Sequence, residues 1–430
     1  MFTVSNENTF NCIKVFIKIL TVATLFATAS ANASDTQFTG FVSLGLTHAP
    51  SDEFQFRTSL INQAREGLSW QADTLVGLQV NTRLDDKFDF VGQLILQDRA
   101  DDAFTNLLEL AFIRYQMNRN WSMQAGRFST NSYLLTDYRY VRHAQYWVRP
   151  PLEMYSPTGS LGNMNGVQLN YVADFSVGTL KLSGALGRND FQNDSERSKL
   201  RITYQDLATL AIEFQAMDWR IQASHLTAVL DELTFEGVDE VRSLGFTVPT
   251  IFRPFALEIQ RTFLPEGARV SYSSIGGMYQ EGAVELIAEV ADYKSDWALS
   301  QSSKQGYVSL AYNIGDFTPF ITAAYTNRDK VPQVIDYERA EASLPPFLFQ
   351  QLTALTQEAD DTLRSASIDQ DSISLGLRWS FSFDWAVKVQ LDHNRMNESG
   401  SGLFSLVGDL SAPREKRRYN VLNISFTTTF

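Results

Sequence analysis

The stretch WAVKVQLD (Trp385–Asp392) alternates apolar and polar residues without interruption. Successive side chains of an extended strand point to opposite faces, so its apolar residues share one face while Lys388, Gln390 and Asp392 share the other. A charged side chain facing lipid near the middle of a bilayer would cost about 2–4 kcal/mol. The sorting therefore predicts a membrane-spanning strand with its apolar face toward lipid and its polar face inward.

The preceding stretch ISLGLRWSF (Ile373–Phe381) repeats the pattern, and segments of roughly ten residues with the same period recur along the chain. We predict about sixteen strands, at Phe38–Thr47, Thr74–Leu84, Phe88–Gln97, Leu108–Met117, Trp121–Phe128, Val167–Phe175, Leu180–Gly187, Ala208–Met217, Trp219–Ala228, Arg269–Gln280, Ala283–Tyr293, Gly306–Ile314, Thr318–Asn327, Ser372–Ser382, Trp385–Asn394 and Tyr419–Phe430. Bacterial barrels have an even number of strands. The predicted fold is therefore all-β, a transmembrane antiparallel β-barrel.

The connections between these segments alternate between tight turns and long loops. Tight turns such as Asp85–Lys87 and Asn118–Asn120 carry the Asp and Asn residues that turns favour. The predicted long connections are His48–Asp73, Ser129–Gly166, Val229–Ala268, Arg328–Asp371 and Arg395–Arg418. Three shorter ones on the same rim are predicted near Asp98–Leu107, Arg188–Leu207 and Lys294–Gln305. This asymmetry places both chain ends at the short-turn, periplasmic rim of an outer-membrane barrel.

Proline and tryptophan positions agree with this strand assignment. Of the 12 prolines, all except Pro319 fall in long connections, as expected because proline cannot donate to a ladder and a closed barrel has no free edge. Trp121, Trp219 and Trp385 each follow a short turn. Their positions predict an aromatic girdle at one water–lipid interface.

The first 33 residues have the composition of a cleaved signal peptide. Lys14 and Lys18 precede an apolar run, and Ala31–Ala33 gives the small-x-small cleavage pattern, so the mature chain is predicted to start at Ser34. A buried first helix is the alternative, although the apolar run is too short to span a bilayer. The single cysteine, Cys12, lies in this segment, so residues 34–430 form the predicted barrel without disulfides or thiolate metal sites.

Composition limits the functional class. The net charge of −13 argues against a nucleic-acid-binding protein, which would carry a basic excess. The mean hydropathy of −0.17 is ordinary for a soluble protein, but a transmembrane barrel has similar values because only every second strand residue faces lipid. No run of about eighteen apolar residues follows the signal segment, which excludes a spanning helix there.

The chain ends in NISFTTTF (Asn423–Phe430), with Ile424, Phe426 and Phe430 on one face. This resembles the terminal-strand signal that delivers outer-membrane proteins to the barrel assembly machinery. An ordinary amphipathic strand is the alternative. In a closed barrel, the last strand must pair with the first to remove both edges.

The third long loop, residues 129–166, is rich in arginine and aromatic residues. At this point the sequence resembles the Gram-negative outer-membrane porins of the sixteen-stranded proteobacterial superfamily. The resemblance covers the topology of the mature chain, and in residues it rests on Gly126-Arg127, Asp137-Tyr138, Ala144–Tyr146 and Val148–Tyr155. It implies that the loop folds inward, where it constricts a water-filled channel for small hydrophilic solutes or ions.

If the loop folds inward, six of its residues are predicted at the constriction: Asp137, Arg139, Tyr140, Arg142, Arg149 and Glu153. Five basic residues are predicted on the pore wall: Arg83, Arg114, Arg220, Arg378 and Lys388. The positive excess would favour anions weakly. The alternatives are that the loop charges are solvated or paired with each other, and that Tyr140, Tyr146 and Trp147 merely pack the loop against the wall.

An enzyme is not predicted, because His48, His143, His225 and His393 form no metal-ligand cluster or nucleophile motif in the sequence. No cofactor is expected. The expected partners are outer-membrane lipid, lipopolysaccharide, the assembly machinery and small solutes, and the porin resemblance makes a homotrimer plausible. A non-conducting barrel with a surface adhesion or receptor role is the alternative function. The sequence leaves open whether residues 328–371, with a predicted helix over Phe347–Leu363, plug or cap the lumen.

Overall fold

The computed structural model describes residues 35–49, 54–58, 65, 67–98, 107–157, 159–195, 198–235, 238–264, 267–328, 333–397, 404–406 and 416–430. It is a closed barrel of sixteen antiparallel strands, which confirms the predicted fold. The strands are β1 Thr36–Ala49, β2 Leu75–Arg83, β3 Phe88–Gln97, β4 Leu108–Gln116, β5 Trp121–Ser129, β6 Asn163–Phe175, β7 Gly178–Ser195, β8 Ser198–Gln215, β9 Trp219–Phe235, β10 Arg269–Glu281, β11 Val284–Ser295, β12 Ser303–Tyr312, β13 Phe317–Arg328, β14 Gln370–Ser382, β15 Trp385–Met396 and β16 Arg417–Thr429. The signal-peptide prediction for residues 1–33 lies outside the described residues.

The two faces of the strands separate as the sequence predicts. In β15, Trp385, Val389 and Leu391 are exposed on the outer surface, whereas Lys388 and Gln390 are buried. The outer surface is apolar because polar side chains in contact with hydrocarbon would lose their hydrogen bonds to water, at a cost in free energy. The predicted girdle tryptophans are also on this surface, and each contacts a ring on the next strand: Trp121 with Tyr171, Trp219 with Tyr279, and Trp385 with Phe426.

The last strand closes the barrel against the first. β16 pairs with β1 from Phe41 opposite Thr429 to His48 opposite Leu422. The terminal residue adds a reciprocal pair of backbone hydrogen bonds, from Gly40 N–H to the Phe430 carbonyl (2.8 Å) and from Phe430 N–H to the Gly40 carbonyl (2.9 Å). No strand edge is left for another chain to pair with at this seam.

One predicted connection is wrong. Residues 188–207 were expected to form a loop, but β7 and β8 continue through most of them as one long hairpin. The register shifts between Gln205 and Ala208, where Asp206 has a φ of +50°. Because of this irregularity, the alternation of inward and outward side chains before Gln205 does not continue in the same phase after Ala208. Beyond the hydrocarbon, both faces of a strand meet water, so the period-two signal that identifies spanning segments is not imposed there.

Among the residues that the structure describes, five α-helices lie in the long connections: α1 Leu152–Tyr155, α2 Val238–Thr247, α3 Arg253–Phe263, α4 Tyr337–Ser343 and α5 Pro346–Ser365. In the described part of the chain, no helix is both long and apolar enough to cross a membrane. Helix α5 contains the predicted helix Phe347–Leu363.

Helices α2 to α5 form a small cap on the long-loop rim. Their apolar core packs against Phe235 and Leu299 at the rim and consists of Phe252, Phe255, Phe263, Val334, Ile335, Ala340, Leu352 and Leu363. The buried Asp360 carboxylate accepts hydrogen bonds from the Val334 N–H (2.9 Å) and the Tyr337 hydroxyl. The described residues 333–371 of the segment left open by the sequence therefore form part of this cap.

Replacing Gly40 by valine is expected to weaken the barrel seam. A Cβ atom at Gly40 would lie 2.4 Å from the Phe430 ring, so the ring must leave its place. Phe430 is 67% exposed, so its ring can turn toward the surroundings and the cost should lie at the lower end of the overpacking range, about 1 kcal/mol, which should slightly lower the temperature at which the barrel loses its compact gel mobility. Gly184→Val is the matched control, because its Cβ would have nothing nearer than the Thr209 carbonyl oxygen at 4.0 Å. Equal effects of the two changes would contradict the prediction.

Candidate functional site

The connection from β5 to β6 folds into the barrel, where polar side chains of the wall hold its backbone. The hydroxyl groups of Ser224 and Ser274 both donate to the Ser132 carbonyl at 2.8 Å. The Gln222 amide donates to the carbonyls of Asn131 and Tyr133 at 3.0 Å. Loop backbone groups removed from water need such partners, and the inward polar face of the wall supplies them.

The middle of the loop packs against β12 and β13. Trp147 is buried, and its indole Nε1 lies 3.1 Å from the Ser309 Oγ and 2.9 Å from the Thr322 Oγ1. Its ring contacts Tyr307, and the neighbouring Tyr146 contacts Phe320. These contacts agree with the prediction that the loop aromatics pack against the wall.

Arg149 joins the loop to β15, to β16 and to the connection that precedes β2. Its guanidinium forms buried salt bridges with Asp73 (2.6 Å) and Asp392 (2.9 Å) and donates to the Asn423 Oδ1 at 2.9 Å. It also lies over the Phe56 ring, 4.7 Å from the centroid. Arg149 is only 2% exposed, so water does not solvate its charge and the carboxylates of Asp73 and Asp392 compensate it instead.

Two basic wall residues, on β14 and β15, donate hydrogen bonds to carbonyl groups of the loop. Lys388 is fully buried, and its Nζ donates to the carbonyls of Arg142 (2.5 Å) and Trp147 (2.8 Å). Arg378 donates to the Gln145 carbonyl at 3.3 Å. The sequence placed Lys388 on a water-lined wall. In the structure it supports the loop backbone, because its long side chain reaches the Trp147 carbonyl and adds a second donor to the Arg142 carbonyl, which also accepts from the Gln145 N–H.

The tip of the loop crosses to the opposite wall. Tyr140 and Val141 pack against a buried apolar cluster formed by Phe41, Leu75 and Ile95 of β1 to β3. We call this contact the tip seal.

A salt bridge beside the tip seal ties the tip to β4. Arg139 and Glu109 approach to 2.6 Å, and a Cβ at Gly162 would lie 2.0 Å from the Arg139 Nη1. The absence of a side chain at Gly162 therefore lets the guanidinium lie against the backbone.

Among the described residues, two cavities lie beside the loop. The upper one, the arginine gap, has a volume of about 70 Å³ and is lined by Arg139, Tyr140, Arg142 and Arg149 together with Asp73 and Gln97 of the wall. The lower one has a volume of about 540 Å³ and lies between the loop and β2 to β9, with Asp137 on its lining. The structure thus brings four of the six predicted constriction residues to one gap and places Asp137 in the other cavity.

The remaining predicted residues occupy different places. Glu153 is buried in α1 and accepts a hydrogen bond of 2.8 Å from the Gln370 amide, so it lines neither cavity. Arg114 and Arg220 line the lower cavity, and Arg83 lies with Arg114 around a third cavity of about 410 Å³ at the periplasmic rim.

Sequence reasoning missed the acidic residues that hold the loop. Asp73 and Glu109 balance Arg149 and Arg139, while Glu289 accepts hydrogen bonds from the Leu134 N–H (2.9 Å) and the Tyr155 hydroxyl (2.7 Å). Glu289 was detectable, because alternation in β11 puts its charge on the inward face. Asp73 ends a long connection, where no alternation applies.

The histidines do not form a catalytic arrangement in the described part of the chain. His143 is in the loop, with its Nε2 3.1 Å from the Phe383 carbonyl. His225 and His393 are exposed, and each pairs across strands, with Ser273 and Asn420 respectively. Among the described residues, no group of three or more His, Cys, Asp or Glu residues could hold a metal ion.

Comparisons with known proteins show the fold. No protein-family model and no curated protein sequence matches the chain. The structure is similar to Salmonella typhi OmpF, solved in complex with daunomycin, with a TM-score of 0.52 and 13% identity over 92% of this chain and 97% of that chain. It is also similar to Pseudomonas putida OprB, solved at high pH, with a TM-score of 0.51 and 9% identity over 92% of this chain and 94% of that chain. These likenesses confirm the barrel predicted from the porin resemblance.

Proposed function

We propose that the chain is an outer-membrane porin that passes small hydrophilic solutes by passive diffusion with a weak preference for anions. The observation that carries the proposal is the arginine gap, a cavity of about 70 Å³ between the inward loop and the wall that three loop arginines line. A ring of fixed charge at a narrow point selects solutes by charge. The closed barrel and its two-faced strands support an outer-membrane location.

The charge balance in the gap explains why the preference is weak. Arg139 is paired with Glu109, and Arg149 with Asp73 and Asp392. Arg142 forms no salt bridge with any described residue, and its Nη1 donates only to the Arg139 carbonyl at 3.2 Å. The three arginines and the three carboxylates balance in number, so the preference depends on position: the Arg142 guanidinium is not held in a salt bridge with a described residue, and a passing anion can meet it.

Replacing Arg142 by glutamine is expected to abolish the anion preference. The change removes the unpaired charge and keeps a polar side chain of moderate length. The measurement is the reversal potential of the purified protein in a planar bilayer under a salt gradient, which should move toward the value for a non-selective channel. Arg242→Gln is the control, because Arg242 lies on the exposed helix α2 in a surface pair with Asp239. Unchanged selectivity of the Arg142 variant would refute the proposed charge filter.

A second candidate is a non-conducting barrel with a surface role. The tip seal and the helical cap favour it, because the first is an apolar contact between the loop and the wall and the second offers a folded surface at the long-loop rim. Bilayers that stay silent over a range of voltages with correctly folded protein would favour this candidate over the porin.

The remaining partner assignments are also proposals. We propose that the exposed apolar face contacts outer-membrane lipid and lipopolysaccharide, that β16 is recognised by the assembly machinery, and that the barrel forms a homotrimer. The apolar outer face and the terminal Phe430 at the seam support the first two. The mass of the protein–detergent complex, corrected for bound detergent, distinguishes a trimer from a monomer.

A further inference from the structure

The lower cavity differs in chemistry from the arginine gap above it. Its lining mixes apolar and polar side chains, and six side-chain amides on it come from strands β2, β5, β6 and β9: Gln79, Asn81, Gln124, Gln168, Asn170 and Gln222. An amide offers both donors and an acceptor without carrying charge. Amides on several strands around one cavity therefore form a neutral polar surface.

The amides bond to one another in short chains that end in the cavity. The Gln93 Nε2 donates to the Gln79 Oε1 at 2.8 Å, and the Gln79 Nε2 donates to the Asn81 Oδ1 at 3.1 Å. On β6, the Gln168 Nε2 donates to the Asn170 Oδ1 at 2.6 Å. Each chain fixes the orientation of its amides and leaves the N–H groups of the terminal asparagine, Asn81 or Asn170, for a ligand. Gln124 has no hydrogen-bond partner among the described side chains or backbone groups.

The charges in the cavity cancel. Glu213 forms salt bridges with Lys181 (2.8 Å) and Arg220 (2.7 Å), and Asp137 of the loop, which forms no salt bridge with a described residue, supplies a second negative charge. These two cations and two anions sum to zero. Arg114, also on the lining, is paired with Asp89 at 3.0 Å. An ion entering from the gap would therefore gain no net attraction here.

We infer that the lower cavity is a binding site for an uncharged solute that carries several hydroxyl groups. A hydroxyl group both donates and accepts hydrogen bonds, as each amide does, and Asp137 accepts a stronger, charge-assisted bond from it. A volume of about 540 Å³ lies within the usual range of small-molecule sites, roughly 300–1,000 Å³. Partly exposed Phe112 adds an apolar surface to the lining. This inference rests on the proposed porin function, since it names the solute class of the same passage.

Saturation-transfer NMR on the full-length protein in detergent tests the site without requiring conduction. Sucrose is the probe, with glutamate and lysine as charged competitors. We expect sucrose to bind more tightly than either amino acid. Gln124→Leu and Asp137→Asn should each weaken sucrose binding about threefold to tenfold, the effect of losing one hydrogen bond. Gln351→Leu, the same amide-to-leucine change on exposed helix α5, should leave binding unchanged.

The possible outcomes separate this inference from the proposed function. A protein that conducts ions but does not bind sucrose overturns the inference and leaves the porin proposal standing. Binding that is unaffected in both cavity variants overturns the assignment to this cavity, and tighter binding of glutamate or lysine overturns the solute class. Sucrose binding that is lost in the cavity variants while bilayers stay silent supports the site and refutes the open porin.

Discussion

Purified protein in which Tyr140 and Val141 are both replaced by alanine will carry several times more current per channel than the parent chain. These side chains form the loop half of the tip seal against Phe41, Leu75 and Ile95. A narrow apolar constriction excludes water, and an ion that has to pass it without its hydration shell meets a high energy barrier even where the constriction is short. Shortening both side chains should widen the water path beside the arginine gap, which Tyr140 and Leu75 line.

The loop itself should stay in place in this double variant. Arg149, Trp147 and Lys388 hold it elsewhere, through salt bridges and hydrogen bonds to β12, β13, β15 and β16. Conductance in planar bilayers and the swelling rate of liposomes in sugar solutions measure the change. Tyr312→Ala is the matched control, because it removes the same ring from the exposed outer surface. Equal conductance of the parent and the Tyr140/Val141 variant would show that solutes do not pass the tip seal.

The strands could be predicted because the bilayer imposes a rule at every position. A polar side chain that faces lipid costs free energy, whereas one that faces the lumen does not. The resulting alternation identifies the strands, and β3 begins and ends at the predicted residues Phe88 and Gln97. The rule weakens outside the hydrocarbon. The long hairpin of β7 and β8 was therefore missed, although its inner face carries the buried residues Ile202 and Tyr204.

The loop residues could be nominated from the sequence, but their partners could not. Arg149 meets Asp73, Asp392 and Asn423, which lie 76, 243 and 274 positions away. Nothing local indicates such pairs, since they depend on how far the loop enters the barrel.

One signal in the sequence does mark where the loop contacts the wall. Phe41 and Phe320 are large apolar residues on the inward face, where a water-filled pore would carry polar groups. Phe41 lies in the tip seal, and Phe320 contacts the Tyr146 ring. Inward apolar residues in a predicted barrel therefore indicate where an inserted segment packs.

Replacing Arg149 by leucine is the substitution with the largest expected loss of stability. The change leaves the buried carboxylates of Asp73 and Asp392 without their shared cation. Removing one partner of a buried ion pair typically costs about 3–5 kcal/mol, mostly because an uncompensated charge stays buried. We expect the variant to lose its compact gel mobility at a clearly lower temperature than the parent chain and to show noisy, fluctuating currents as the loop leaves its place.

Two further variants identify the cause of this loss. Arg242→Leu breaks an exposed pair with Asp239, and surface pairs contribute only about 0–1 kcal/mol, so its thermal transition should match that of the parent. Adding Asp73→Asn and Asp392→Asn to the Arg149→Leu variant removes the buried charges and should restore much of the lost stability. If instead the triple variant is as unstable as Arg149→Leu alone, the loss comes from packing around the Phe56 ring rather than from stranded carboxylates. An Arg149→Leu protein as stable as the parent would mean that the salt bridges do not hold the loop, and the loop would then have to be fixed by the apolar contacts of Trp147 and the tip seal.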